Sequence, residues 1–211
     1  SLIVSRGIAH DQLGNERQAI SDYGEAIRLD PQDFYAHYNR GIAHQKVGDR
    51  RSAVKDFSEA IRIRPKDADA YVNRGLMYLD TGKFDEAIAD FSRAHDLDSD
   101  DIWSLANRGI TYAWKKDRMR AEQDFKAVRT IDPVNPVLLR GEALLAIDAG
   151  DPSTAVKLLS ESLRREPDNI WALQMRAEMY LQLGENEKSW ADSDKADQLR
   201  RDKEKSALAD D

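Results

Sequence analysis

A 34-residue period runs six times through this chain without an insertion, and it limits the possible folds more than any other feature. Gly7, Gly41, Gly75 and Gly109 stand 34 apart, and the same step reaches Ala143 and Ala177. A second column reads Ala19, Ala53, Ala87, Ala121, Ala155, Ser189. A third reads Tyr23, Phe57, Phe91, Phe125, Leu159, Ser193, and a fourth Ala26, Ala60, Ala94, Val128, Ser162, Ala196. Prolines recur at 31, 65, 133 and 167. A fixed period of this length marks a stacked array, in which each unit buries its apolar face only against its neighbours. Such an array offers a long concave surface and no enclosed pocket, so binding is the expected class of function.

Each unit reads as two helices. Ala36, Ile42 and Ala43 fall on one helical stripe, and Ala53, Phe57, Ala60 and Ile61 on the next. Gly48 separates them, in the column Gly14, Gly48, Gly82, Lys116, Gly150, Gly184; a left-handed cap favours glycine, and Lys116 is the exception. Asp151 followed by Pro152 is a helix start, and Pro65, Pro133 and Pro167 close their units. The small columns let backbones approach, and the aromatic column fills the space beyond. Two more columns lapse together: Arg6, Arg40, Arg74, Arg108, Glu142, Arg176, and Asp22, Asp56, Asp90, Asp124, Leu158, Asp192. They predict an Arg–Asp pair tying together the two helices of a unit.

Glycine, Tyr or His, alanine, aromatic, alanine and proline at these offsets resemble the tetratricopeptide repeat. The resemblance covers nearly the whole chain, as repeats 1–33, 34–67, 68–101, 102–135, 136–169 and 170–203 of a single array over 1–211, with a capping helix at 186–208. Repeats five and six depart most. The resemblance implies an all-α right-handed superhelical solenoid of six helix-turn-helix repeats, with the first helix of each lining the concave face. There Asn39, Asn73 and Asn107 form a ladder of amides, each able to donate and accept along a peptide backbone. Tyr35, Tyr38, Trp103, Trp114, Arg140 and Trp171 stand beside it, residue types that dominate binding hot spots. Arg140 is the expected contact for an acidic group. Family members that grip an acidic chaperone tail use Lys and Asn in one repeat. Val4 and Ile8, Tyr38 and Ile42, or Val72 and Leu76 stand there instead, so that role is disfavoured.

No catalytic constellation is visible: no phosphate-cradling glycine loop, no His-Glu-x-x-His and no Gly-x-Ser-x-Gly. His10 and His44 share a column with Tyr78, Tyr112 and Tyr180, which reads as packing. Asp96, Asp98, Asp100 and Asp101 lack the spacing and glycine of a calcium loop. Net charge is −7 with acids and bases interleaved, so no basic stripe invites nucleic acid. No apolar run is long enough to span a bilayer. There is no cysteine, hence no disulfide or thiolate metal site. The expectation is a non-catalytic scaffold or adaptor that binds an extended protein segment, without a cofactor. Alternatives are an accessory domain of a larger enzyme and an array that stacks on copies of itself. The chain opens on Ser1 inside a helical pattern, as a cut fragment or a processed form would. The compartment is not written in the residues; a soluble cytoplasmic chain is the default.

Overall fold

The computed structural model describes residues 1–209. Its elements are all helices: α1 (Leu2–Gln12), α2 (Glu16–Leu29), α3 (Phe34–Lys46), α4 (Arg50–Ile63), α5 (Ala68–Asp80), α6 (Phe84–Leu97), α7 (Ile102–Trp114), α8 (Arg118–Ile131), α9 (Pro136–Asp148), α10 (Pro152–Arg165), α11 (Ile170–Gln182) and α12 (Asn186–Ala209). Taken in pairs, they make six helix-turn-helix repeats. They group into two compact units, Ser1–Asp101 and Ile102–Ala209, of three repeats each.

Short polar residues start the helices. Asp33, Asp67 and Asn169 hold one column and accept the N–H of Ala36, Ala70 and Ala172 at 3.2, 3.1 and 2.9 Å. Asp49, Asp117 and Asp151 do the same for second helices. A cap of this kind contributes about 1 kcal/mol. Glycine ends the first helices at positive φ, as at Gly48 (φ +81°), where Asp49 N–H reaches back to His44 C=O at 2.9 Å. Lys116 adopts the same conformation at φ +62°, the strained exception that its column announces.

In the first unit the helices pack in chain order, each on the next. Gly41 lies so close to the Phe57 ring that a Cβ there would sit 2.7 Å from it; Gly7 on Tyr23 and Gly75 on Phe91 repeat the contact. The expected Arg–Asp pairs are present in both units. Arg40 Nε and Nη2 donate to the two Asp56 oxygens at 2.8 and 2.7 Å. The same fork joins Arg6 to Asp22, Arg74 to Asp90, Arg108 to Asp124 and Arg176 to Asp192. In repeat five, which lacks both residues, Glu142 instead receives Arg129.

The second unit packs differently. Of the helices that precede it, α9 lies more against α7 than against α8, whereas in the first unit α3 and α5 lie on the second helix of the repeat before and barely touch its first. Gly141 makes this possible: a Cβ there would stand 2.2 Å from Phe125 Cζ. Gly109 already presses on the same ring, at 2.5 Å. The Phe125 ring is therefore approached closely by two glycine backbones, one from α7 and one from α9. α7 is consequently buried on nearly every side, including Ser104, Asn107, Ile110 and Thr111.

Candidate protein-interaction face

In the first unit the candidate residues come from α3 and α5. Phe34 opens α3 and is buried; Tyr38, one turn on, stacks on it with ring centres 5.6 Å apart and meets Phe57 edge-on at 6.0 Å. Tyr38 is thereby fixed in orientation. Its hydroxyl oxygen accepts from Asn73 Nδ2 at 3.0 Å, and burial pushes the phenol up to about 12, so it stays protonated. Its O–H remains able to donate outward. The Asn73 amide also donates to Asp69 C=O at 2.9 Å, which turns its acceptor oxygen away from the helix. Asn39 is half-buried, and among the described residues its side-chain amide has no hydrogen-bond partner. Tyr35 is 54% exposed. Tyr35, Tyr38, Asn39 and Asn73 therefore offer donors, an acceptor and an aromatic surface from two helices in register.

The third rung of the ladder departs from this pattern. Asn107 is only 7% exposed, and its Nδ2 donates to Trp103 C=O at 2.9 Å. It sits in the helix that carries α9 and makes the same bond one turn back that Asn73 makes to Asp69, but in a buried setting. Arg140 is also engaged, its guanidinium paired with Glu166, and its side chain is 13% exposed. Asn169 Nδ2 donates to the same carboxylate at 3.1 Å. A carboxylate of this chain, that of Glu166, thus already faces Arg140. Trp103 and Trp114 lie at the two ends of α7 and are 47% and 39% exposed. Trp171, near the start of α11, meets Trp114 edge-to-face with centres 6.3 Å apart. The pair forms one aromatic surface within the second unit.

The sequence pattern does not single out Arg64, which lies over both Phe34 and Tyr35. Its signal is a broken column: Asp30, Asp98, Asp132 and Glu166 stand at the equivalent places, with Arg200 in the sixth repeat. The histidines are structural. His37 is buried with Nε2 3.2 Å from Pro31 C=O, and His44 Nε2 lies 3.8 Å from Asp56. Asp98 caps a turn through Asp100 N–H at 3.1 Å. Among the described residues no group of three or more acidic or histidine side chains is placed to hold a metal. No described helix is long and apolar enough to cross a membrane.

Comparison with known proteins gives a consistent family. Sequence profiles of the tetratricopeptide repeat match residues 38–102 and 146–189, and a further TPR repeat profile matches residues 9–48. No curated protein matches the sequence. Among solved structures, a tetratricopeptide repeat protein from Parabacteroides merdae is 19% identical at a TM-score of 0.70, covering 99% of this chain and 89% of that one. PilW, a widely conserved type IV pilus biogenesis factor, is 20% identical at a TM-score of 0.72, covering 90% and 89%. Cut9, from the APC/C hetero-tetramer Cut9–Hcn1, is 14% identical at a TM-score of 0.77, covering 92% of this chain and 38% of its own. These identities speak to fold alone. With the 34-residue columns, the six helix pairs and the matching profiles together, this chain belongs to the tetratricopeptide repeat family.

Proposed function

We propose that the chain is a non-catalytic interaction scaffold that takes an extended protein segment along the first-helix face of its repeats. The observation that carries this reading is the set Asn39, Asn73 and Tyr38. Among the described residues the Asn39 amide has no partner and the Asn73 oxygen accepts no hydrogen bond, while the Tyr38 hydroxyl keeps its proton. These groups match the N–H and C=O of an extended backbone. Tyr35 stands beside these groups in the first unit as an aromatic anchor of the kind that dominates interfaces; the second unit carries its own aromatic surface of Trp103, Trp114 and Trp171. PilW and Cut9 carry a similar fold in proteins of assembly, which agrees with a scaffold role.

The test is an array of acetylated and amidated dodecapeptides of varied sequence, probed with the wild-type chain and with the Asn39→Ala, Asn73→Ala double variant. Two lost hydrogen bonds at about 0.5–1.5 kcal/mol each weaken binding by at least about fivefold. Circular dichroism should stay unchanged, since both amides lie at the helix surface. Equal binding by the two proteins would remove the amides from the site.

A further inference from the structure

Asp30, Asp98 and Asp132 each turn back to accept the N–H two residues on, at 3.0, 3.1 and 3.3 Å, and close the bend after a second helix. Glu166 pairs with Arg140. Arg64 stands in the same column and can do neither. Its guanidinium carbon instead lies 4.3 Å from the centre of the Phe34 ring and 4.5 Å from that of Tyr35. Among the described residues Arg64 makes no ion pair and no side-chain hydrogen bond. An open recess of about 410 Å³ lies beside it, lined by Arg64, Pro65, Lys66 and Asp67.

A guanidinium held over aromatic rings by cation–π attraction keeps N–H donors that the rings do not use. Those donors form a fork that matches a carboxylate with two parallel hydrogen bonds. The two rings also hold the long side chain in place before any ligand arrives, which removes part of the ordering cost of binding. Lys66 adds a second exposed cation in the recess. The nearby carboxylates of Asp33 and Asp67 are occupied as helix caps, on Ala36 N–H and Ala70 N–H. In an acidic chain whose arginines are mostly paired, Arg64 is an open cation set on a rigid aromatic base beside the most exposed tyrosine of α3.

We propose that Arg64, seated against the mutually perpendicular rings of Phe34 and Tyr35 and flanked by Lys66, is a recognition site for an aspartate or glutamate side chain of a bound peptide segment. This rests on the scaffold reading above and adds to it the chemistry of one partner residue. Tyr35 and Arg64 act as one unit, since the ring helps to hold the cation in place.

The test uses the full chain and an array of acetylated, amidated dodecapeptides made as matched pairs that differ only by Glu or Gln at one position. Amidation removes the terminal carboxylate, so a preference reports a side chain. Wild type should prefer the Glu member of its best pairs by at least fivefold. Arg64→Gln should abolish the preference, Arg64→Lys should keep part of it, and Tyr35→Leu should reduce it with the charge intact. Unchanged thermal melts would show that the exposed variants fold. Pairs bound equally by wild type, or a Glu preference that survives Arg64→Gln, overturn the carboxylate site and leave the scaffold reading standing. An array that binds nowhere overturns both.

Discussion

The first unit keeps a small residue under an aromatic ring in all three of its repeats; the second keeps it in one. Gly7 meets Tyr23, Gly41 meets Phe57 and Gly75 meets Phe91, and Gly109 meets Phe125 in the fourth repeat. The fifth repeat has Ala143 with Leu159, and the sixth Ala177 with Ser193. The two columns change together because they share one volume: a methyl added on one helix requires a smaller group on the other. Where the exchange overshoots, space opens. A recess of about 480 Å³ lies between α11 and α12, lined in part by Ala177, Ser189, Ser193 and Ala196. Regular packing in the first unit leaves polar groups of α3 and α5 on the surface. Irregular packing in the second uses the equivalent positions of α7 and α9, Asn107 and Gly141, for internal contacts. One repeat pattern therefore leaves these polar positions at the surface in one unit and packs them inside in the other.

The strongest way to break this comparison is to remove Asp56, the most buried of the paired carboxylates at 2% exposure. Arg40 and the buried His37, whose Nδ1 lies 3.7 Å away, would lose their shared anion. Losing one partner of a buried pair costs about 3 kcal/mol, so Asp56→Ala should produce the largest shift in the denaturation midpoint. The pair also sets an acid limit. Burial pushes the Asp56 carboxyl up, but the Arg40 hydrogen bonds and the neighbouring His37 outweigh it and hold the group below its ordinary value. A carboxylate depressed in the folded state contributes stability that is fully present above about pH 4 and is lost as pH falls through the folded value. Wild-type melting temperature should fall more steeply than that of Asp56→Asn below about pH 4; parallel curves would remove the pair as the cause.

Gly41→Ala tests the shared volume directly. Its new methyl would stand 2.7 Å from the Phe57 ring, overpacking that costs about 1–3 kcal/mol. Adding Phe57→Leu copies the Ala143 and Leu159 pairing of repeat five and should restore part of the loss. A double variant no more stable than Gly41→Ala alone would mean that the two columns do not share one space.

Much of this architecture is legible in the sequence because it depends on one position at a time. The period places the helix pairs, Gly48 and Lys116 mark positive φ, and the joint lapse of Glu142 and Leu158 identifies the Arg–Asp pairs before any geometry is known. The seat of α9 is not legible. It depends on Gly109, Gly141 and Phe125 together, on three different helices, and a column shows only one residue per repeat. The fates of Asn107 and Arg140 follow from that same neighbourhood. Arg64 is visible as a broken acidic column, but its seat against Phe34 and Tyr35 joins residues 30 and 29 places away. Repeat logic does not read contacts of that kind.

Asn39 and Asn107 occupy one column in the two units, and their separate substitution sharpens the contrast. Asn107→Ala removes a hydrogen bond in a buried helix and should cost about 1 kcal/mol of stability, read by denaturation. Asn39→Ala should leave the melt unchanged and weaken peptide binding by roughly two- to tenfold. The reverse pattern would place the surface amide in the second unit.

The smallest effect expected is at Lys116, where the second unit departs from glycine in the loop column. A side chain at φ +62° carries a steric cost of about 1 kcal/mol that glycine escapes. Against this, Lys116→Gly enlarges the freedom of the unfolded chain, by about 0.4–1 kcal/mol. It also loses the Lys116–Asp148 ion pair, an exposed contact between the end of α7 and the end of α9 that contributes about 0–1 kcal/mol. These terms oppose each other, so the net change should stay under about 1 kcal/mol, with a sign set by the ion pair. Asp148→Ala removes the pair while leaving the backbone as it is. If strain dominates, Lys116→Gly is stabilising in the Asp148→Ala background and closer to neutral in the wild type. If the ion pair holds α9 on α7, Asp148→Ala alone lowers the midpoint and Lys116→Gly adds nothing to that loss.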